Sequence, residues 1–315
     1  MRDDTLGGEE LERGLRERFL VFRSFPSFRE VDDSALVFLA ERAVERRFPA
    51  GAVLNVPGAP LDRFWIVREG TLEVWEHERR MAEIRRPRGA GYLQMVAEQH
   101  DGVVVRAPVD TAVLELQRAD YMAAYLRSPA FIRTTIRLLS AQLLELRDQL
   151  PASPGTPPPP LGSPPTRPRT LVERVRAIRE ELSVFRSFDL DAVYTLVRRA
   201  EQRRVPPDTV LWRAGDPATF NLRIDYGHVR CVAPSGAEVT VGAPFTLGGA
   251  DQFAALPRAY TATTVTEVWA DQSDRDAFLS LMELYPRSGL LLIRSLAEAN
   301  LAGLRARAAR GTSLP

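Results

Sequence analysis

Residues 21–25 read Val-Phe-Arg-Ser-Phe, and residues 184–188 read the same five residues again. Around this pair the two halves of the 315-residue chain keep a common register. Gly58 meets Gly215 at an offset of 157 (215 − 58 = 157), and the same offset pairs Pro49 with Pro206, Leu54 with Leu211 and Gly70 with Gly227. It also pairs Gly91 with Gly248, Pro129 with Pro286 and Ile136 with Ile293. The Val-Phe-Arg-Ser-Phe pair itself lies at an offset of 163 (184 − 21 = 163), so the first copy carries six extra residues just after it (163 − 157 = 6). Apolar phase is repeated as well. Leu36, Leu39, Ala40 and Ala43 follow the i, i+3, i+4, i+7 spacing of a helix with one buried face, and Val193, Leu196, Val197 and Ala200 follow it identically. Shared glycines, prolines and helical phase identify a tandem duplication.

Each copy reads as short helices, a run of short strands and a long closing helix. In the first, helical phase covers 9–22 and 33–46, with Asp32 and its counterpart Asp189 placed as N-caps. Strands are expected at 53–56, 64–67, 71–75, 103–107 and 112–116; Pro57-Gly58-Ala59-Pro60 supplies turn chemistry between the first two. Ser128-Pro129 then opens a helix whose apolar face runs from Phe131 to Leu146, and Pro286 opens its counterpart, with Leu290, Ile293, Leu296, Leu301 and Leu304. The expected fold class is mainly β with flanking α: two tandem antiparallel β-rolls of the jelly-roll type, each of about eight strands, with N-terminal helices and a long C-terminal helix.

Between the copies, residues 151–170 read PASPGTPPPPLGSPPTRPRT. Proline fixes φ and removes the amide donor, so the segment forms neither helix nor central strand and is expected to be an extended spacer. The expected domains are therefore 1–150, a linker over 151–170, and 171–315.

Composition bounds the function. The apolar fraction is 45%, enough for a core in each half, and 42 basic residues, all of them Arg, balance 41 acidic ones. A net charge of +1 argues against a nucleic-acid footprint. The absence of Lys reads as a coding bias. Cys231 is the one cysteine, which excludes a disulfide within the chain and a cysteine-based metal site. His77, His100 and His228 have no ligand-like spacing. Met1-Arg2-Asp3-Asp4 is polar and unlike a signal peptide, and no apolar run approaches the roughly 20 residues of a membrane span. A cytoplasmic protein without nucleic-acid or membrane partners is expected. No G-x-S-x-G, H-E-x-x-H or kinase loop is present, so an enzyme is not expected.

The order of elements, with Gly58 and Gly70 flanking Phe64-Trp65-Ile66-Val67, resembles the cyclic nucleotide-binding domain. Gly248-Gly249-Ala250 followed by Pro257-Arg258-Ala259 resembles that family's phosphate-binding cassette. The resemblance implies a regulatory role, no cofactor, and a cyclic mononucleotide ligand held in the second copy by Gly248, Gly249, Ala250, Arg258 and Ala259. Arg258 would take the phosphate and a short helix over 250–255 would present backbone amides. The chain departs from the pattern where the family has a ribose-binding Glu: Gly249 stands there, with Asp251 as a weak substitute. The first copy departs further, with Tyr92 at that position and Asp101 opposite Arg258 (258 − 101 = 157). A like charge there repels a phosphate. Family members with a DNA-reading module carry it after the long helix; none is expected here, as the sequence stops at Pro315.

Two readings stay open at this stage. One is nucleotide sensing through the second copy, with the apolar run Leu290–Leu304 capping the base. The other is a protein-binding scaffold that has lost the nucleotide. Small residues in 286–308 (Gly289, Ala297, Ala299, Ala302, Gly303) further suggest a homodimer through the last helix.

Overall fold

The computed structural model describes residues 4–25, 28–147, 149–152 and 157–309. The polar amino terminus at 1–3, part of the proline-rich segment at 153–156, and 310–315 lie outside the described residues.

The first copy runs α1 (Asp4–Ser24), α2 (Asp33–Arg42), β1 (Val44–Phe48), β2 (Arg63–Glu69), β3 (Leu72–Glu76), β4 (Arg79–Ile84), β5 (Gly89–Ala90), α3 (Tyr92–Ala97), β6 (Val103–Arg106), β7 (Thr111–Gln117), α4 (Arg118–Arg127) and α5 (Pro129–Leu146). The second runs α6 (Leu171–Glu181), α7 (Ser183–Arg186), α8 (Leu190–Arg199), β8 (Glu201–Val205), β9 (Val210–Trp212), β10 (Phe220–Tyr226), β11 (His228–Val232), β12 (Glu238–Gly242), β13 (Phe245–Leu247), α9 (Gly249–Ala254), β14 (Thr261–Thr264), β15 (Val268–Asp274), α10 (Arg275–Leu284) and α11 (Pro286–Ala309).

Every strand pairing among the described residues is antiparallel. The first roll joins sheets β1-β7-β2-β5 and β4-β3-β6, and the second joins β13-β10-β15-β8 and β12-β11-β14-β9. The fold is therefore the expected mainly-β pair of rolls with flanking helices. The repeated apolar phase is realised directly: Ala35, Leu36, Leu39 and Ala40 of α2 are buried, as are Ala192, Val193, Leu196 and Val197 of α8. Gly70 and Gly227 recur for a steric reason. Both have positive φ (83° and 101°), and a Cβ on Gly70 would sit 2.5 Å from the Asp110 carbonyl oxygen.

Local departures from the sequence reading have physical causes. Helix α2 stops at Arg42, not at 46, because Ala43 is extended (φ −68°, ψ 128°) and Val44 begins the ladder with β7. The strand expected over 53–56 is reduced to one bridge, Val53 to Arg106. There the Asn55 side chain donates to the Val103 carbonyl at 2.8 Å and accepts from the Val105 amide at 2.7 Å, in place of ladder bonds. Asp32 and Asp189 do occupy N-cap positions, but neither side chain caps its helix. Asp32 accepts instead from the Ser128 hydroxyl and Asp189 from Ser288 at 3.3 Å. The six-residue insertion in the first copy delivers Phe28, 3% exposed, into contact with Phe22, Phe25 and Phe131.

The chain divides into two compact units, 1–134 with 297–315, and 135–296. These do not coincide with the repeat boundaries, because α5 and α11 are each split between units. In the unit 135–296, Leu150 is fully buried in the roll's core with Trp212, Leu222, Val229, Cys231 and Tyr260. In the other unit, Arg305 of α11 binds Glu76 at 2.6 and 2.8 Å and Gln99 at 2.8 Å. The described part of the proline-rich segment forms neither helix nor strand, as expected, yet it is not a free spacer. The His228 ring nitrogen lies 2.8 Å from the Pro159 carbonyl oxygen, and Arg169 reaches Asp225 at 2.9 Å.

Candidate functional site

The cassette-like segment of the second copy is built around a tight turn. Gly248 ends β13 and caps α9 in the left-handed region (φ 76°); a Cβ there would lie 2.5 Å from an Arg258 nitrogen and 3.1 Å from Trp212. Its amide donates to the Tyr260 hydroxyl at 3.1 Å. Gly249 and Ala250 start α9, the short helix expected here, and Ala255 closes it, again left-handed (φ 55°). Gly249 is under no comparable steric demand: a Cβ would meet Thr246 and Phe253 at 3.5 and 3.6 Å, ordinary contact distances. Ala259 is half-buried against the core. The structure thus brings Gly248, Gly249, Ala250, Arg258 and Ala259 into one neighbourhood.

Arg258 faces inward, and its side chain is 0% exposed. One guanidinium nitrogen lies 3.3 Å from both the Gly248 carbonyl and the Asp251 carboxylate, while the other donates to the Phe220 carbonyl. The plane lies over Trp212 at 4.0 Å and near Phe220 at 4.8 Å from the ring centroids. Asp251, read from the sequence as a substitute ribose partner, is spent on this pair. Burial raises its carboxyl above the ordinary Asp range, and Arg258 opposes the rise. Asp251 Oδ1 and Arg258 Nε remain buried without hydrogen-bond partners. The cation of the site is fully buried and neutralised from within the chain.

The equivalent place in the first copy is aromatic. Tyr92, the first residue of α3, bonds its hydroxyl to that of Tyr125 at 2.8 Å and packs edge-on to Phe64 and Tyr121. Trp65, fully buried, donates to Glu115 at 2.9 Å. Asp101 lies exposed on the loop after α3.

One cluster escaped the sequence reading. At the cross-strand position where Ile66 faces Leu114 in the first roll, Arg223 faces Asp271 in the second. Arg223 lies 2.7 Å from Asp271, and Arg174 reaches the other Asp271 oxygen at 2.8 Å. Arg223 also pairs with Asp225 and with Glu181, the latter at 3.4 Å. The signal was present: the 157-residue register sets two charged residues against two apolar core residues.

Beside this cluster the unit 135–296 holds a cavity of about 330 Å³, lined mainly by apolar side chains including Ile178, Phe185, Leu196 and Phe278. Leu143, Leu144 and Arg147 of the α5 end line it together with Gly248–Asp251. Of the run Leu290–Leu304, expected to cap a base, Leu292 and Leu296 line this cavity, while Leu301 and Leu304 belong to the other compact unit.

No family model and no curated protein matches the sequence. Among solved structures, the chain is similar to the regulatory domain of Toxoplasma gondii PKA with cAMP, at 14% identity and a TM-score of 0.35, covering 85% of this chain and 92% of that one. It is also similar to the regulatory subunit of a cAMP-independent protein kinase A from Trypanosoma brucei (13%, 0.33, 88% and 89%). The corresponding Trypanosoma cruzi subunit bound to guanosine gives 10%, 0.33, and 96% of both chains. At these identities and scores the similarity assigns neither ligand nor partner to this chain.

Among the described residues no helix is long and apolar enough to cross a membrane, and no group of three or more His, Cys, Asp or Glu is placed to hold a metal ion.

Proposed function

We propose that this protein is a non-catalytic regulatory module whose two β-rolls serve as a protein-binding scaffold and no longer sense cyclic nucleotide. The carrying observation is Arg258, fully buried and engaged by Asp251, two carbonyls and two aromatic rings. A cyclic phosphate would have to take the guanidinium from Asp251 and leave that carboxylate buried and uncompensated, a change that costs about 3–5 kcal/mol for buried pairs generally. In the first copy the 157-residue register sets Asp101, an acid, at the position of Arg258. Sensing by the second copy keeps one supporting observation, the intact order of Gly248, short helix and Arg258.

A thermal-shift titration separates the two. Addition of cAMP or cGMP to millimolar concentration is expected to leave the melting temperature unchanged, in the wild type and in Gly249→Glu, which restores the acidic residue of the family pattern at a position where a Cβ meets only ordinary contacts. A saturable upward shift in either protein overturns the scaffold reading. A homodimer through 286–308 has less to offer than the sequence suggested, because Leu292, Ile293, Leu296, Ala297, Leu301 and Leu304 are already buried within the chain.

A further inference from the structure

The 330 Å³ cavity of the unit 135–296 is apolar over most of its lining, yet it carries one charge without a counter-charge among the described residues. Arg223 and Asp271 on its wall answer each other, and Asp251 answers Arg258. Arg147, near the end of α5, is different. It is half-buried, it donates to the Pro151 carbonyl at 2.8 Å, and among the described residues it has no carboxylate partner. Of the five N–H donors a guanidinium carries, the described residues supply an acceptor only for this one bond. Burial pulls its pKa below the usual arginine value. A cation brought into an apolar lining without a counter-charge is costly, and a bound anion removes the cost.

We infer that this cavity binds an amphipathic monoanion, an unbranched apolar chain ending in a carboxylate, with the head on Arg147 and the chain among Ile178, Phe185, Leu196 and Phe278. The size agrees. At about 30 Å³ per water-sized group, the cavity takes roughly eleven such groups, which suits an acid of about ten carbons. Volumes of this order are ordinary for small-molecule pockets. A cyclic nucleotide fits the lining poorly, since it would set a polar sugar and base against leucine and phenylalanine. The inference goes beyond the scaffold reading and does not depend on it, because it concerns neither Arg258 nor a protein partner.

The test is a titration of the full chain with decanoate, read by isothermal calorimetry and thermal shift, beside 1-decanol and decyl phosphate. Decanoate is expected to bind saturably with one equivalent per chain. Decanol should bind at least tenfold more weakly, and decyl phosphate, with its larger and more highly charged head, should bind more weakly than decanoate; tighter binding of decyl phosphate overturns the carboxylate assignment. Arg147→Met keeps the apolar stem and removes the charge; it should weaken decanoate at least tenfold and leave decanol unchanged. Val197→Phe fills the cavity from α8 and should abolish both. Both variants are first checked for a wild-type circular dichroism spectrum. No decanoate binding at millimolar concentration, equal binding of decanol, or undiminished binding by Arg147→Met overturns the inference. If Arg147→Met fails to fold, the comparison of decanoate with decanol and with Val197→Phe still decides.

Discussion

Arg258 is supported by Asp251 as much as Asp251 by Arg258, and neither has exposed surface to spare. Removing the cation alone, as in Arg258→Met, leaves a carboxylate buried near Tyr260 and Cys231. Breaking a buried pair from one side costs about 3–5 kcal/mol, whereas replacing both partners by apolar residues is often close to neutral. Urea unfolding should therefore show a large loss for Arg258→Met and recovery of most of it in Arg258→Met/Asp251→Leu. The pH dependence has a definite sign. Burial already raises the Asp251 carboxyl and Arg258 holds it back, so the single variant raises it further. A carboxyl whose folded pKa exceeds its unfolded value favours the native state at low pH and loses that contribution as pH rises through the folded value. The deficit of Arg258→Met relative to wild type should shrink from pH 8 towards pH 5; a deficit that widens on acidification would remove Asp251 from the explanation. The sequence register placed Arg258 at a cassette position, because aligned copies report which residues correspond. It did not place Asp251 and Trp212 against it, because side-chain direction depends on packing that spacing alone does not encode.

At the scale of elements, helix α6 shows how the chain leaves a proline-rich stretch. Thr170 accepts from the Glu173 amide at 3.3 Å, and Glu173 accepts from the Thr170 amide at 2.8 Å, a complete capping box. Arg167 adds two contacts to the same carboxylate, at 2.7 and 2.9 Å. Arg167 and the capping contacts lower the Glu173 carboxyl to about 2. A depressed carboxyl contributes stability above its unfolded pKa and loses it as pH falls through the folded value. The amides of the first turn of α6 should exchange more slowly in wild type than in Glu173→Gln at pH 5, and the two proteins should converge towards pH 2. Protection that stays different at pH 2 would assign the effect to something other than this charge. The Thr-x-x-Glu pattern was readable at 170–173; the reach of Arg167 across it was not. The exchange of an apolar cross-strand pair, Ile66 and Leu114, for the charged pair Arg223 and Asp271 was equally readable in the register. The second cation on Asp271, Arg174 from α6, was not, since that helix precedes the roll by many residues and no local rule brings it there.

For the whole molecule, the repeated glycines and helical phases made both rolls legible, since each roll needs its own turns and its own buried helix face. The allocation of the long helices was not legible. An apolar stripe states that a face is buried without stating against which surface, and α5 and α11 are each divided between compact units. The proline-rich segment invited a boundary over 151–170, yet Leu143, Leu144 and Arg147 line the cavity of the later unit and Leu150 is fully buried in its core. Loss of one buried leucine typically costs about 2–5 kcal/mol, and a chain beginning at 171 lacks Leu150 together with the cavity-lining Leu143 and Leu144. A fragment spanning 135–296 should therefore unfold cooperatively at a clearly higher temperature than one spanning 171–296, which should expose apolar surface and bind a hydrophobic dye while folded residues remain. Equal melting temperatures for the two would return the boundary to the proline-rich segment and reduce residues 135–150 to a connector. A higher value for 135–296 would make the end of α5 a structural part of the second roll, with Leu150 as its anchor in the core.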